Sequence, residues 1–290
     1  MPKSKANTTS EPISVKLKKF DMSSIGDGKV ILFIGKRGTG KSVLVLDFLY
    51  NHQNFPLGTV VSPTESLNLA YTPHVPSIFI HEEYTPELLE EILKRQKHIC
   101  KSCKNDPKYA NVDPRAFVIF DDCLADSGEW VKDKNMKWIF MNGRHAKLTF
   151  LLTMQYVIGI PPSLRTNVDY IFICKEPKIN NQKKLYEQFA GAFPTFDMFR
   201  VVLNKCTKDY GCLVIDNGSN SDQLTDQVFW YRGNQEHPDW DNFHMCYPMF
   251  WKNNDVFLAN REENKPDEND DYTRLTNKRN QPEYKVRQLK

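Results

Sequence analysis

Three glycines, a lysine and a serine lie between two apolar runs in the stretch ILFIGKRGTGKSVLVL, from Ile31 to Leu46. Their spacing is G-x-x-x-x-G-K-[ST], which is typical of a loop whose backbone N–H groups surround a chain of phosphates. Lys41 would place a positive charge on the β- and γ-phosphates, and the Ser42 hydroxyl would bind Mg²⁺. The residues predicted to contact the phosphates are Gly35, Lys36, Arg37, Gly38, Thr39, Gly40, Lys41 and Ser42.

The segments on either side of this loop are those that a phosphate site requires. Val30–Ile34 is continuously apolar, which is typical of a buried strand, and Val43–Tyr50 has the composition of a helix. A helix that begins at the loop directs the positive end of its dipole towards the phosphates. A glycine-rich turn without function is the alternative, and the strand and helix around the loop argue against it.

A second apolar run, AFVIFDD, ends on two acids about 80 residues beyond Lys41. A carboxylate at the end of a strand beside a phosphate loop holds Mg²⁺, and a second carboxylate can polarise an attacking water. We therefore predict that Asp121 is the metal ligand and that Asp122 is the general base. Many motor ATPases have glutamate at the second position, so Asp122 reaches less far. Either the backbone compensates for the shorter side chain or hydrolysis is slow.

Three further polar residues are candidates for the same site. Gln155 follows the apolar run LTFLLTM, and it would face the γ-phosphate if that strand lay between the phosphate-loop strand and the acidic strand. There it could orient water, although an amide that satisfies loop backbone is the alternative. Arg144 and Arg165 are candidates for an arginine finger, which neutralises charge on the transferred phosphoryl group. An ordinary surface ion pair is the alternative for either arginine.

The alternation of apolar strands with helical segments predicts an α/β fold, with a mainly parallel sheet covered by helices on both faces. The helices are predicted at Pro86–Cys100, with Thr85 as N-cap, at Glu129–His145 and at Asn180–Phe193. The strands are predicted at Val30–Ile34, within Thr59–Ser66, and at Ser77–Glu83, Ala116–Asp122, Leu148–Gln155, Val168–Glu176, Cys212–Asp216 and Val228–Arg232.

Length and composition limit the organisation of the chain. It has 290 residues and a net charge of +3, so any contact with DNA must come from a local patch. We expect a disordered segment over residues 1–12, one P-loop domain with extra C-terminal elements over 13–258 and a charged, disordered tail over 259–290. The lysine-bearing stretch Lys94–Lys108 is a candidate for gripping DNA, with a solvated helix face as the alternative. We find neither a membrane-spanning run nor a signal-peptide core.

The seven cysteines are expected to be free thiols in a reducing compartment. His98, Cys100 and Cys103 form an H-x-C-x-x-C cluster, which is at most half of a zinc site. Cys206 and Cys212 could complete it in space, so metal binding stays open. Ordinary thiols at a helix end are the favoured interpretation.

Five motifs together resemble one protein family. GKRGTGKS, VIFDD, NGRHAK, LLTMQY and IPPSLRTNVDYIFI occur in the same order as in the virion DNA-packaging ATPases of nucleocytoplasmic large DNA viruses. These are the poxvirus-type packaging enzymes, a branch of the FtsK/HerA superfamily. The resemblance spans roughly Ile31–Glu176 and extends to about Arg232. The phosphate loop is shared by very many enzymes, whereas the later motifs are far more specific.

The resemblance implies a RecA-like P-loop fold of the additional-strand type, with ATP and Mg²⁺ as cofactors. It implies a homo-oligomeric ring of five or six subunits that moves double-stranded viral DNA into a capsid, irrespective of sequence. Asp121 would hold the metal, Asp122 would be the base, Gln155 the sensor and Arg144, in preference to Arg165, the finger. A capsid or virion-membrane component would be a partner, and the protein would act at the assembly site in the host cytoplasm or be present in the virion.

Two other functions compete with this interpretation. A nucleotide-gated virion assembly factor would bind ATP but show little DNA-stimulated hydrolysis, and the short Asp122 and the charged tail permit it. A small-molecule kinase would need an arginine-rich lid and an acceptor pocket, and the sequence suggests neither. The acid pair with Gln155 suits attack by water better than transfer to a hydroxyl.

Overall fold

The computed structural model describes residues 15–123, 130–155 and 160–263. Within these ranges nine strands form one sheet, in the order β1-β9-β8-β7-β2-β6-β5-β3-β4. The strands are β1 (Lys18–Lys19), β2 (Val30–Ile34), β3 (Gly58–Val61), β4 (Ile80–His81), β5 (Ala116–Asp121), β6 (Leu148–Met154), β7 (Tyr170–Ile173), β8 (Gly211–Asp216) and β9 (Val228–Arg232).

Nine α-helices lie in the same described ranges, three of them single turns. Thr85 caps α3 as expected, because its hydroxyl accepts a hydrogen bond from the N–H of Leu88. The helices are α1 (Lys41–Asn51), α2 (Glu65–Asn68), α3 (Pro86–Asn105), α4 (Lys134–Asn142), α5 (Pro162–Arg165), α6 (Ile179–Phe189), α7 (Phe196–Cys206), α8 (Leu224–Gln227) and α9 (Pro248–Glu263).

The order of the strands brings the predicted site residues together. β2 pairs in parallel with β7 on one side and with β6 on the other, and β6 pairs in parallel with β5. The strand that ends before Gln155 therefore lies between the phosphate-loop strand and the acidic strand, which is the condition that its predicted role required. The carboxyl ends of parallel strands meet at one edge of the sheet, where α/β proteins bind their ligands.

The sheet is buried on both faces, which explains why its central strands are continuously apolar. In β2 the side chains of Val30, Leu32 and Ile34 face one core, while those of Ile31 and Phe33 face the other. The first core is covered by α3, α4, α6 and α7, and the second by α1 and by the irregular segments 20–25, 71–75 and 243–245. The predicted architecture of a mainly parallel sheet with helices on both faces is confirmed.

Some predicted elements differ from the structure. The helix expected over Glu129–His145 begins only at Lys134, because the Asp133 side chain caps it, and it ends at Asn142, where a 3-10 turn follows. The strand expected at Ser77–Glu83 is reduced to β4, since a 3-10 turn occupies residues 77–79. Helix α7 was not predicted from the sequence. β8 and β9 are antiparallel to their neighbours, and β1 forms the outer edge beyond them.

The chain separates into two compact units, residues 1–247 and 248–290. In the second unit, α9 continues to Glu263 and so crosses the predicted boundary between residues 258 and 259. The residues that follow the boundary are Ala259, Asn260, Arg261, Glu262 and Glu263, most of which favour helices. The remainder of the predicted tail, and the predicted N-terminal segment 1–12, lie outside the described residues.

Candidate functional site

The phosphate loop packs tightly between β6 and β7. The N–H of Gly35 donates to the Met154 carbonyl at 3.0 Å. A Cβ on Gly35 would lie 2.5 Å from Thr39 Oγ1 and 2.6 Å from Cys174 Cβ, so no larger residue fits there. Gly40 has a φ of 94° immediately before α1, a conformation that glycine adopts without strain. The loop is therefore preformed, with its final turn leading directly into a helix N-terminus.

Two lysines of the loop are held by carboxylates. Lys41 is buried, and its Nζ lies 3.2 Å from Asp122 Oδ2 and 3.4 Å from the Lys36 carbonyl oxygen. Lys36 Nζ lies 3.3 Å from Oε1 of the buried Glu176. Glu176 also accepts from the N–H of Lys178 at 2.8 Å. Lys36 thus connects the loop to the chain after β7, whereas Lys41 is paired with Asp122, the predicted base.

Asp121 is buried and accepts hydrogen bonds from three hydroxyl groups. Thr153 Oγ1 donates to its Oδ1 at 2.6 Å, while the Tyr71 hydroxyl at 2.8 Å and Ser42 Oγ at 3.3 Å donate to its Oδ2. Burial, and next the charge of Asp121, raise the pKa of Tyr71 well above its ordinary value. The Tyr71 phenol is therefore protonated at neutral pH and acts as a donor that fixes the orientation of the carboxylate.

The same groups fit a magnesium ion. Mg²⁺ prefers hard oxygen ligands and commonly uses one or two protein groups together with phosphate oxygens and water. Ser42 Oγ and the Asp121 carboxylate are such ligands, they approach each other from α1 and β5, and they lie at the end of the phosphate loop. These two residues are the ones that the sequence predicted for the metal.

Asp122 has an unusual backbone. Its φ is 51°, in the left-handed region that costs most residues energy but is tolerated best by Asn and Asp. Its N–H donates to Thr153 Oγ1 at 2.9 Å, and its Oδ2 accepts from Gln155 Nε2 at 3.3 Å. A left-handed backbone at this position changes the direction of the side chain, which is one way to compensate for the shorter reach of aspartate compared with glutamate. The oxygen Oδ2 is shared by Gln155 and Lys41.

The two candidate arginines lie near the amino-terminal ends of the parallel strands, opposite to the phosphate loop. A Cβ on Gly28, two residues before β2, would lie 3.1 Å from Arg144 Cα. Arg144 also precedes β6, whose seven residues at about 3.3 Å each separate it from Gln155 by about 20 Å. Arg165 ends α5, just before β7 begins. Neither arginine can reach the phosphate loop of its own chain.

Three residues of the site were not found from the sequence. Thr153 bridges both acids, Tyr71 holds Asp121, and the buried Glu65 accepts from the N–H groups of Tyr71 and Thr72 through Oε1. A threonine inside an otherwise apolar strand is a signal that could have found Thr153. Nothing in the sequence marks Tyr71, because it comes from an irregular segment that only the fold brings beneath β5.

Burial disfavours the thiolate form of two of these cysteines. It raises the pKa of Cys100, and it raises the pKa of Cys206 to about 11, so forming the thiolate that a metal would bind is less favourable for both than for an exposed cysteine. Cys103 Sγ contacts the Val112 carbonyl oxygen at 3.5 Å. In the described parts of the chain no group of three or more His, Cys, Asp or Glu side chains is arranged around a possible metal position.

Comparison with known proteins identifies relatives among viruses. The family model described as Poxvirus A32 protein matches residues 17–218. An uncharacterised protein of Acanthamoeba polyphaga mimivirus is 42% identical over 217 residues, which cover 74% of this chain and 76% of that protein. An uncharacterised protein of Invertebrate iridescent virus 6 is 37% identical over 215 residues, 73% of this chain and 77% of its own length.

The fold also has a counterpart among solved structures. The genome packaging NTPase B204 from Sulfolobus turreted icosahedral virus 2, in complex with sulfate, aligns with a TM-score of 0.50 and 15% identity. The alignment covers 72% of this chain and 98% of that one, and at this identity it supports the fold alone. Among the described residues, no helix has the length and apolar character of a bilayer span. The family match and the relatives show that the chain belongs to the Poxvirus A32 protein family, the poxvirus-type packaging ATPases that its motifs resemble.

Proposed function

We propose that this protein binds ATP with Mg²⁺ and hydrolyses it to move double-stranded viral DNA into a capsid. One observation carries the enzymatic part of the proposal. Lys41, Ser42, Asp121, Asp122 and Gln155 come from the phosphate loop and the ends of two further strands, and contacts of 3.2 to 3.3 Å join them in one cluster. Membership of the packaging ATPase family supports the DNA-moving part.

Each residue has a role that follows from its position. The loop N–H groups and Lys41 bind the phosphates, and Ser42 and Asp121 hold Mg²⁺, which supplies positive charge to the β- and γ-phosphate oxygens when bound. Asp122 accepts a proton from the attacking water, and Gln155 orients that water by hydrogen bonding. The phosphates compete with Asp122 for Lys41, so nucleotide binding would release the base for the water.

Arg144 is proposed to act on a neighbouring subunit. Its own phosphate loop is at the opposite end of the strands. In a head-to-tail ring two different surfaces of neighbouring subunits meet, and we infer that the Arg144 end of one subunit faces the nucleotide end of the next. A ring of five or six subunits gives each site one such interface. The arginine would neutralise charge on the transferred phosphoryl group, a contribution of about 10³- to 10⁵-fold in related nucleotide hydrolases.

Mixed assemblies test this arrangement. Arg144→Ala alone and Lys41→Met alone should both lose most of their turnover, but mixing them should restore part of it, because interfaces form that join an intact arginine to an intact loop. The same mixture made with Arg165→Ala in place of Arg144→Ala distinguishes the two candidates. Full activity of Arg144→Ala by itself would remove Arg144 from the site.

The lysine-bearing stretch Lys94–Lys108 is the candidate surface for binding DNA. In the stretch Lys94–Lys108, Lys94 pairs with Glu90 at 2.9 Å, and Lys97 Nζ lies 4.3 Å from the centre of the Trp138 ring. These contacts concern two lysines of the stretch, so DNA binding by the stretch stays a prediction. A packaging enzyme should contact phosphates and not bases, so its affinity for DNA should fall with salt and vary little with sequence.

The test of the proposed function is ATP hydrolysis with and without long duplex DNA. We expect DNA of unrelated sequences to stimulate turnover to similar extents, and we expect the stimulation to decline as salt is raised. Turnover that DNA leaves unchanged would favour the nucleotide-gated assembly factor. Action at a cytoplasmic assembly site, presence in the virion and docking to a capsid or virion-membrane component belong to the same proposal.

A further inference from the structure

Tyr210 is an exposed aromatic residue beside the phosphate loop. Its side chain and backbone together are 70% exposed, so packing within the chain does not explain its position. Its ring atom Cδ1 and its Cβ lie 3.9 and 4.0 Å from the point that a Cβ on Gly40 would occupy. Tyr210 therefore lies beside the loop's last glycine, close enough to touch a side chain at that position if there were one.

A strained turn presents this ring. Tyr210 lies between α7 and β8, and both Asp209, with a φ of 49°, and Tyr210, with a φ of 60°, are left-handed. Consecutive non-glycine residues in this region are unfavourable, and such strain collects at binding sites. The N–H of Gly211 donates to the Lys208 carbonyl at 2.8 Å, and a Cβ on Gly211 would lie 2.2 Å from the Cys206 carbonyl oxygen. The backbone of the turn is thus closely packed, and it fixes the position from which the ring projects.

The strand order indicates which part of a nucleotide meets Tyr210. The acids and Gln155 follow β5 and β6, on one side of β2, so the γ-phosphate must point to that side. The nucleoside must then leave the loop on the other side of β2, where β7 and β8 follow. Because β8 is antiparallel to β7, its first residue and the turn before it lie at the same edge as the phosphate loop. Tyr210 therefore lies on the side of β2 towards which the nucleoside is expected to extend.

We propose that Tyr210 stacks on the base of the bound nucleotide. This inference rests on the nucleotide site of the proposed function. An exposed aromatic face is complementary to the π-face of any base, and stacking of this kind tolerates differences between bases. The larger purines should bind more tightly than the pyrimidines, while the triphosphate itself is held by the loop.

Two substitutions separate stacking from folding. Tyr210→Asn removes the ring but suits the left-handed backbone, since Asn adopts that region readily, so the thermal midpoint should not fall. Tyr210→Phe keeps the aromatic face. Tyr247→Asn is the matched control, because Tyr247 is an exposed tyrosine whose N–H donates to the Pro56 carbonyl at 3.0 Å, near the start of β3 and away from the loop.

The readout is the Kd for ATP, measured by displacement of a fluorescent ATP analogue without DNA, together with the Kd for inorganic tripolyphosphate. Tyr210→Asn should weaken binding of ATP about 5- to 150-fold and leave binding of tripolyphosphate unchanged, while Tyr210→Phe and Tyr247→Asn should match the wild type. An unchanged Kd for ATP in Tyr210→Asn would overturn the stacking proposal alone. Equal losses for ATP and tripolyphosphate would also overturn it, because the defect would then lie in the loop. A wild-type protein that binds neither would overturn the nucleotide site as well.

Discussion

Asp122→Asn should lower the kcat for ATP hydrolysis by about 10²- to 10⁴-fold, the usual contribution of a general base. The amide cannot accept the proton of the attacking water, whereas Lys41, Ser42 and Asp121 remain in place to bind the nucleotide. Affinity for ATP should stay the same or increase, because the carboxylate that competes with the phosphates for Lys41, at 3.2 Å, is gone. Steady-state kinetics combined with a direct binding measurement separate the two effects.

The backbone conformation at position 122 is compatible with asparagine. Asn tolerates the φ of 51° found at Asp122, so the substitution adds little backbone strain, and its amide oxygen can still accept a hydrogen bond from Lys41. Asp239→Asn is a matched control, since Asp239 is exposed and has a φ of 55°. A kcat of Asp122→Asn that stays close to the wild-type value would remove Asp122 as the base.

Lys41→Met should raise the Kd for ATP by about 10- to 150-fold, which corresponds to the loss of a hydrogen bond to a charged group. The Lys41 stem is buried, and methionine fills much of that space without the ammonium group. The rate of ATP hydrolysis should fall together with the affinity for ATP. Asp122 would lose its ion-pair partner but keep the hydrogen bond from Gln155, so the site should stay folded.

Lys18→Met is the control for this variant. Lys18 also forms an ion pair, with Asp226 at 3.1 Å, but it lies in β1, the outermost strand of the sheet. Its substitution should leave the Kd for ATP unchanged. If Lys41→Met bound ATP as tightly as the Lys18→Met control, the loop would not be the phosphate site. Asp122→Asn and Lys41→Met thus separate chemistry from binding within one cluster.

The parts of the site that the sequence predicted are those that local patterns encode. The phosphate loop is a short motif with a required strand and helix around it, and Asp121 stands at the end of an apolar run. Both features could be assigned because the constraints on them lie within a few residues. The role of Gln155 needed one further fact, the order of the strands, which only the fold supplies.

The other features of the site and the fold depend on contacts between residues that are far apart in the sequence. Tyr71 reaches Asp121 across 50 positions of the chain, and its segment shows no periodicity that would place it in a site. The left-handed backbone of Asp122 occurs together with a hydrogen bond to Thr153 on the neighbouring strand. Helix α4 is shorter than the apolar spacing suggested, because a capping aspartate outweighs the propensity of the residues before it.

The central claim is that ATP hydrolysis moves the protein along duplex DNA. Displacement of a fluorescent third strand from a long duplex, by the wild type and by Asp122→Asn, tests it most directly. We predict that the wild type releases the third strand with ATP, later on longer tracks, and that neither Asp122→Asn nor the wild type with a non-hydrolysable ATP analogue does so. Hydrolysis of ATP by the wild type without displacement of the third strand would contradict the claim.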